Sequence, residues 1–428
     1  MRDLLIIIVY SSFFFYGMRA PFVLLLGYVW VDIFTPQLVS YGIMQIIPVS
    51  MIIAIAALLS LIFTAPPIKL INRTPIILMF AFACWMTLTL FWAAVPEAAW
   101  EKWDWAFKGV LVACLVPLFI RGRTELEALI WTIVLAGMAH CIPFGIKVLI
   151  SGGGYGQAKG LVANNTGYGE GSTLAMFSVS LIPLCFYLMK HSQIIPLNKF
   201  TKTMLGGFVI VGLLTSLGTF ARTGLVCSAV LALAYFFRSK RKLLYLTIIF
   251  TASIVLVGVM GDEWSSRMET ITDATESSSM GRVAAWLWAW EYVQNHQFGG
   301  SFGVSAINQF VMSLADGSLL EIKAKAFHNI YFEVLAETGF PGIIIYGLII
   351  ASTLKTANHV RASTPDHNPA WLRDLGASVL ISSFIFLAGG MFIGVAFQSY
   401  FYYLAAISVV MMNISTSHKT TLLKSAAN

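Results

Sequence analysis

The chain has 428 residues, of which 58% are hydrophobic and only 11% charged. Soluble domains carry about 25% charged residues, so a single water-soluble globule, a disordered chain, a collagen-like fibre and a secreted disulfide scaffold are excluded, and a polytopic membrane protein is implied. The net charge of +7 does not point to nucleic acid as a partner, because the Lys and Arg residues fall in short loops between apolar runs, where they set orientation.

A helix needs roughly 20 apolar residues to span the hydrocarbon core. On that rule spans are predicted near 4–17, 21–35, 41–63, 75–95, 106–120, 126–149, 172–189, 203–220, 223–237, 243–260, 330–354, 375–393 and 396–413. The first two are short and read equally as a re-entrant hairpin, so the count is twelve or thirteen. The fold class is all-α polytopic, since backbone groups in lipid must be bonded within their own segment. Leu4 to Tyr16 leads straight into a second apolar run, so no cleavable signal peptide is expected.

Basic residues cluster at Lys190, Lys199 and Lys202, at Arg238, Lys240, Arg241 and Lys242, and at Lys355, Arg361 and Arg373. Cytoplasmic loops collect such residues. Alternation then puts 96–105, 151–171, the turn at 221–222 and the long segment 261–329 outside, together with the N-terminus if there are thirteen spans. Trp100, Trp103 and Trp105 in the first of these loops suit an interfacial belt. Three regions follow: a helix bundle over 1–260, a large outer loop over 261–329, and C-terminal spans with a cytoplasmic tail over 330–428.

Within the outer loop, Val283, Trp286, Leu287, Trp290 and Val293 recur at helical spacing. A helix from about Arg282 to Asn295, started by Ser277-Ser278-Ser279, would carry that face to the headgroups or against the bundle. Gly299, Gly300 and Gly303 break the chain after it. No internal repeat is visible, so a repeat-built transporter gains no support. Cys84, Cys114, Cys141, Cys185 and Cys227 lie in apolar runs without a CxxC pair and read as small packed hydrophobes.

Ionisable groups near membrane depth on the outer side carry the chemical information. Arg222 sits in a turn with almost no loop, and its forked guanidinium suits phosphate oxygens; the alternative is an arginine reaching headgroups. Arg282 falls in the first turn of the outer helix, where a cation is unfavourable unless an anion joins it. Arg267 is a third candidate, though Glu263 and Glu269 offer it simple partners. His328 marks the return from the outer loop to a span; among arginines it would be held neutral and able to accept a proton. Glu333 and Glu337 follow, either to orient the imidazole or to neutralise an arginine. Lys108 and Lys159 would also face outward toward an anionic site. There is no HExxH and no DxD, so arginines rather than a divalent ion, and no cofactor, are expected to balance phosphate. Asp32 and His140 lie inside apolar runs, a functional hint by default, but two such residues do not make a proton path.

Taken together, Arg19-Ala20-Pro21-Phe22, Trp100-Glu101-Lys102, Gly152-Gly153-Gly154-Tyr155 with Asn164-Asn165, Glu263-Trp264, Met280-Gly281-Arg282, His328-Asn329-Ile330-Tyr331-Phe332-Glu333 and Gly339-Phe340-Pro341-Gly342 resemble the O-antigen ligase and polymerase superfamily of bacterial envelope glycosyltransferases. The closest likeness is to the O-glycosylation ligases associated with exosortase systems. The resemblance implies a metal-independent, multi-pass enzyme of the bacterial inner membrane with a periplasmic site. Its partners would be a glycan carried on undecaprenyl diphosphate and an acceptor hydroxyl on lipid A core, another glycan or a protein. It assigns Arg222, Arg282 and His328 to the reaction, with Arg267, Lys108 and Lys159 near the substrate. One departure stands out: the family has Ser-Arg-Gly at the turn, where this chain has Ala221-Arg222-Thr223-Gly224. A polysaccharide polymerase using the same donor is the nearest alternative. A transporter or flippase is less well supported, because the unusual charges gather at one face rather than along a mid-membrane path.

Overall fold

A computed structural model describes residues 2–40, 42–64, 70–151, 167–242, 277–313, 319–365 and 367–427. It is a helical bundle: α1 Arg2–Gly17, α2 Pro21–Phe34, α3 Val49–Thr64, α4 Thr74–Thr89, α5 Pro96–Phe119, α6 Arg123–Ser151, α7 Gly171–His191, α8 Lys199–Gly218 and α9 Arg222–Arg238, then α10 Ser277–Asn295, α11 Ile330–Ala362, α12 Ala370–Gly389 and α13 Ser399–Ala427. Apart from α10, each overlaps an expected span, although α5 begins at Pro96 and makes helical the expected loop 96–105, and the expected span 243–260 lies outside the described residues. Among the described residues six helices are long and apolar enough to cross a membrane by themselves, and α1, α2 and α3 are shorter apolar helices. The fold is therefore an all-α polytopic membrane protein.

The inner layer is built from the helices that are apolar on every side, as a helix surrounded by others must be. In α13 the run from Tyr400 to Ile407 is fully buried, and α7 is buried along nearly its whole length. Helices with one exposed apolar face, such as α3 with Ile55, Leu59, Ile62 and Phe63, form the outer layer. At one end of the bundle Asp374 takes Lys190 and His191 at 2.6 and 2.7 Å. There Glu127 accepts the backbone N–H groups of Gln193 and Ile194 at 2.7 and 2.9 Å, tying α6 to the α7–α8 turn. The basic clusters of the sequence lie at this end, and α7, α9, α11 and α13 all begin at the other.

The outer segment differs from expectation in two ways. Residues Gln309–Ser313 (β1) and Leu319–Lys323 (β2) pair antiparallel, with Phe310 opposite Ile322. Strands of five residues leave little periodic signal, and this hairpin is held mainly by what it packs on: Phe310 joins Trp288, Tyr292, Phe327 and Phe332 around Ala285, Ala289 and Val304. In α10 the buried stripe is Ala285, Ala289 and Val293, while Val283, Leu287 and Trp290 are exposed. Small residues let the helix approach α11 closely, and its bulky apolar side chains are left facing outward, as contact with headgroups requires.

Candidate active site

The site is assembled where α11 begins. Asn329 caps that helix, its Oδ1 accepting the N–H groups of Tyr331 and Phe332 at 2.9 and 3.3 Å, while its Nδ2 donates to the Met391 carbonyl at 3.1 Å. The Ile330 N–H donates to the Gly390 carbonyl at 2.8 Å, so the start of α11 is fastened to the end of α12. On the other side Trp286 Nε1 donates to the Phe327 carbonyl at 2.7 Å and its ring stacks on Phe332 at 5.4 Å. Clamped between α10 and α12, His328 adopts φ +47°, a left-handed conformation that histidine visits more readily than most residues. Burial of the ring and then the positive charge of Arg282 lower the His328 pKa from the ordinary 6.5, with Glu170 opposing, Lys325 assisting and Glu333 opposing. The imidazole is thereby biased toward its neutral, proton-accepting form.

Around the same cavity as His328 lies an ion cluster whose pairing of Lys102 with the two glutamates the sequence did not reveal. Lys102 of α5 donates to Glu333 at 2.7 Å and to Glu337 at 2.9 Å, both on α11. The second oxygen of Glu333 accepts the Ala396 N–H at 3.1 Å, and Glu337 accepts the Gly303 N–H at 3.3 Å. The lysine ammonium also stands 4.9 Å from the centre of the Phe397 ring and 5.7 Å from that of Phe302, a cation–π setting. The two glutamates thus neutralise a lysine rather than an arginine. The signal for this was present in Trp100-Glu101-Lys102, but a lysine beside three tryptophans reads as interfacial until the partner helix is known.

Just past the cluster α11 kinks at Gly339, φ +68°, where a side chain would meet the Gln297 carbonyl oxygen. The loop after α10 enters this gap. Gly300 N–H donates to the Ala336 carbonyl and Phe340 N–H to the Gln297 carbonyl, both at 2.9 Å. The glycines at 299 and 339 therefore allow two backbones to touch, which seats the outer segment on the bundle.

A cavity of about 250 Å³ opens beside His328, with Lys102, Glu170, Glu333, Glu337 and Gln398 in its wall. Glu170 precedes α7 and caps it, one oxygen accepting from Thr173 N–H and Oγ1 at 2.6 and 2.8 Å. Among the described residues the wall includes neither Arg222 nor Arg282. Arg282 lies on the first turns of α10, where Gly281 faces the Lys325 side chain. Arg222 opens α9 at the same end of the bundle. Its turn is set by Phe220, buried at φ +52°, and by Gly224, where any side chain would strike the Ser216 carbonyl. That turn abuts the start of α7, next to Glu170, because a side chain at Gly171 would meet Thr219 at 3.8 Å. Lys108 pairs with Asp104 one helical turn away at 2.6 Å. Lys159 and Arg267 lie outside the described residues.

Asp32 and His140 have structural partners: Asp32 accepts from Tyr403 at 2.8 Å and from Ser399, and His140 Nε2 bonds the Ile33 carbonyl at 3.0 Å. Among the described residues no group of three or more His, Cys, Asp or Glu is arranged to hold a metal ion.

Residues 1–193 match a family of unknown function (DUF5935), and residues 207–347 match the family described as O-antigen ligase. The second segment contains Arg222, Arg282, His328, Glu333 and Glu337; the first contains Lys102 and Glu170, so the ion cluster and the cavity are built from both. No curated protein matches the chain. Residues 207–347 thus form a segment that matches the O-antigen ligase family, which supports a place for the chain in that superfamily.

Proposed function

We propose that the protein transfers a glycan from undecaprenyl diphosphate to an acceptor hydroxyl at the periplasmic face of the bacterial inner membrane, without a metal ion and with inversion at the anomeric carbon. The observation that carries this reading is a half-buried His328 held toward neutrality, at the end of the bundle opposite the basic loops, with cationic Arg282 and Lys325 beside it. In the proposed step the acceptor oxygen forms a bond to the anomeric carbon, and its proton passes to His328. The bond from that carbon to the diphosphate oxygen breaks, and the electron pair stays on the diphosphate. Arg222 and Arg282, with Arg267, stabilise the charge gained there. The closer kinship with exosortase-associated ligases rests on the sequence motifs quoted above.

The test is transfer by the purified full-length chain in lipid nanodiscs, with undecaprenyl-diphosphate-linked glycan, a panel of glycolipid and protein acceptors, and a chelator in parallel. Transfer is expected to persist with chelator. His328→Ala and Arg282→Ala are each expected to slow it by about 100-fold or more, and Arg282→Lys to rescue little, since a point charge does not reproduce the fork. Loss of activity on chelation would refute the metal-free mechanism, and full activity of His328→Ala would remove the base. Product glycan length separates a ligase from a polymerase.

A further inference from the structure

We propose that the cavity beside His328 is a subsite for one neutral, hydroxylated sugar ring belonging to the acceptor, with Gln398 and Glu170 as its specificity-determining residues. The assignment to the acceptor rests on the transfer reading above; the ring site itself does not.

Size comes first. Pockets for drug-sized ligands run roughly 300–1,000 Å³, so a cavity of about 250 Å³ has room for a single ring and not for a lipid-linked chain. Charge comes second. The wall carries Lys102 against three carboxylates, Glu170, Glu333 and Glu337, and the lysine is already engaged by two of them. A diphosphate entering here would meet a net negative field, whereas Arg282 and Lys325, which do carry unlike charge, stand outside the wall. His328 therefore sits on a boundary between a cationic side and an anionic, polar side. Hydrogen bonding comes third. Gln398 Oε1 is buried with no donor among the described residues, and Glu170 commits one oxygen to capping α7. Carboxylate and amide oxygens accept the O–H groups of a sugar, and a buried acceptor without a donor is costly until one arrives. A ring held there presents a hydroxyl to His328, which lies in the same wall.

The test places a cysteine in the cavity wall, Ser305→Cys, in the full-length chain carrying Cys84→Ser, and follows its rate of thiol alkylation. The probes are the methyl glycosides of glucose, galactose, mannose and N-acetylglucosamine, against inorganic pyrophosphate. At least one glycoside is expected to slow labelling roughly threefold at a concentration about twice its Kd, and pyrophosphate to leave it unchanged. Slowing by pyrophosphate alone, or by none of the probes, overturns the proposal. Gln398→Ala and Glu170→Gln, each checked for a monodisperse fold, are expected to weaken protection; full protection in both overturns their assignment. Protection in a protein that never releases undecaprenyl diphosphate supports the ring site and sinks the transfer reading alone.

Discussion

An imidazole acts as a base only while it is neutral, so under the proposed mechanism what surrounds His328 would fix the pH range in which it works. Burial and the neighbouring Arg282 and Lys325 lower its pKa below 6.5, against the pull of Glu170 and Glu333. The neutral form therefore persists as pH falls below the value at which a free histidine would be half protonated. The acid limb of kcat/KM for transfer is expected below pH 6.5, with the rate lost only as pH drops through the lowered pKa. Removing a nearby positive charge raises that pKa again. In Arg282→Gln the acid limb should move toward higher pH, over and above the loss of rate, and in Glu170→Gln, which removes a negative charge, toward lower pH. A pH–rate profile of the three proteins checks this. Coincident acid limbs would mean that a different group titrates.

At the scale of elements, a buried ion cluster and a backbone crossing add to the packing of α10 on α11 in holding the segment before α11 to the bundle. Lys102 joins α5 to α11, Glu333 reaches the loop before α13, and Glu337 reaches the loop after α10. Breaking a buried ion pair by removing one partner typically costs about 3–5 kcal/mol, because the other charge stays buried, whereas replacing all members together is far milder. Lys102→Met should therefore lower the Tm of the detergent-solubilised protein markedly, and the triple variant Lys102→Met, Glu333→Gln, Glu337→Gln should recover most of the loss. A single variant as stable as the wild type would show that the cluster opens to water. The same cluster joins the two segments matched separately, residues 1–193 and 207–347: its carboxylates, Glu333 and Glu337, come from the second and its cation, Lys102, from the first.

For the whole molecule, the helices were legible because apolar run length is a one-dimensional signal; His328, Arg222 and Arg282 stood out as candidates because charge at the edge of such runs is rare, and of the three the cavity wall includes His328. Lys102 and Gln398 did not stand out, since a lysine in a tryptophan-rich loop and a glutamine before a span acquire meaning only from partners far away in sequence. The β hairpin escaped because five-residue strands depend on tertiary packing. Sidedness remains the property on which the chemistry depends. The helices α7, α9, α11 and α13, at whose starts Glu170, Arg222, His328 and Gln398 lie, begin at the end opposite Lys190, Arg238 and Lys355, and on the proposed reading the positive-inside rule would put that end in the periplasm. In a background with Cys84→Ser, the exposed cysteine of the native chain, Ala306→Cys should react with a membrane-impermeant maleimide in intact spheroplasts. Ser239→Cys, beside the basic turn after α9, should react only after permeabilisation. The reverse pattern would place His328 on the cytoplasmic face, where a lipid-linked donor flipped outward is out of reach, and the glycosyl-transfer reading would fall with it.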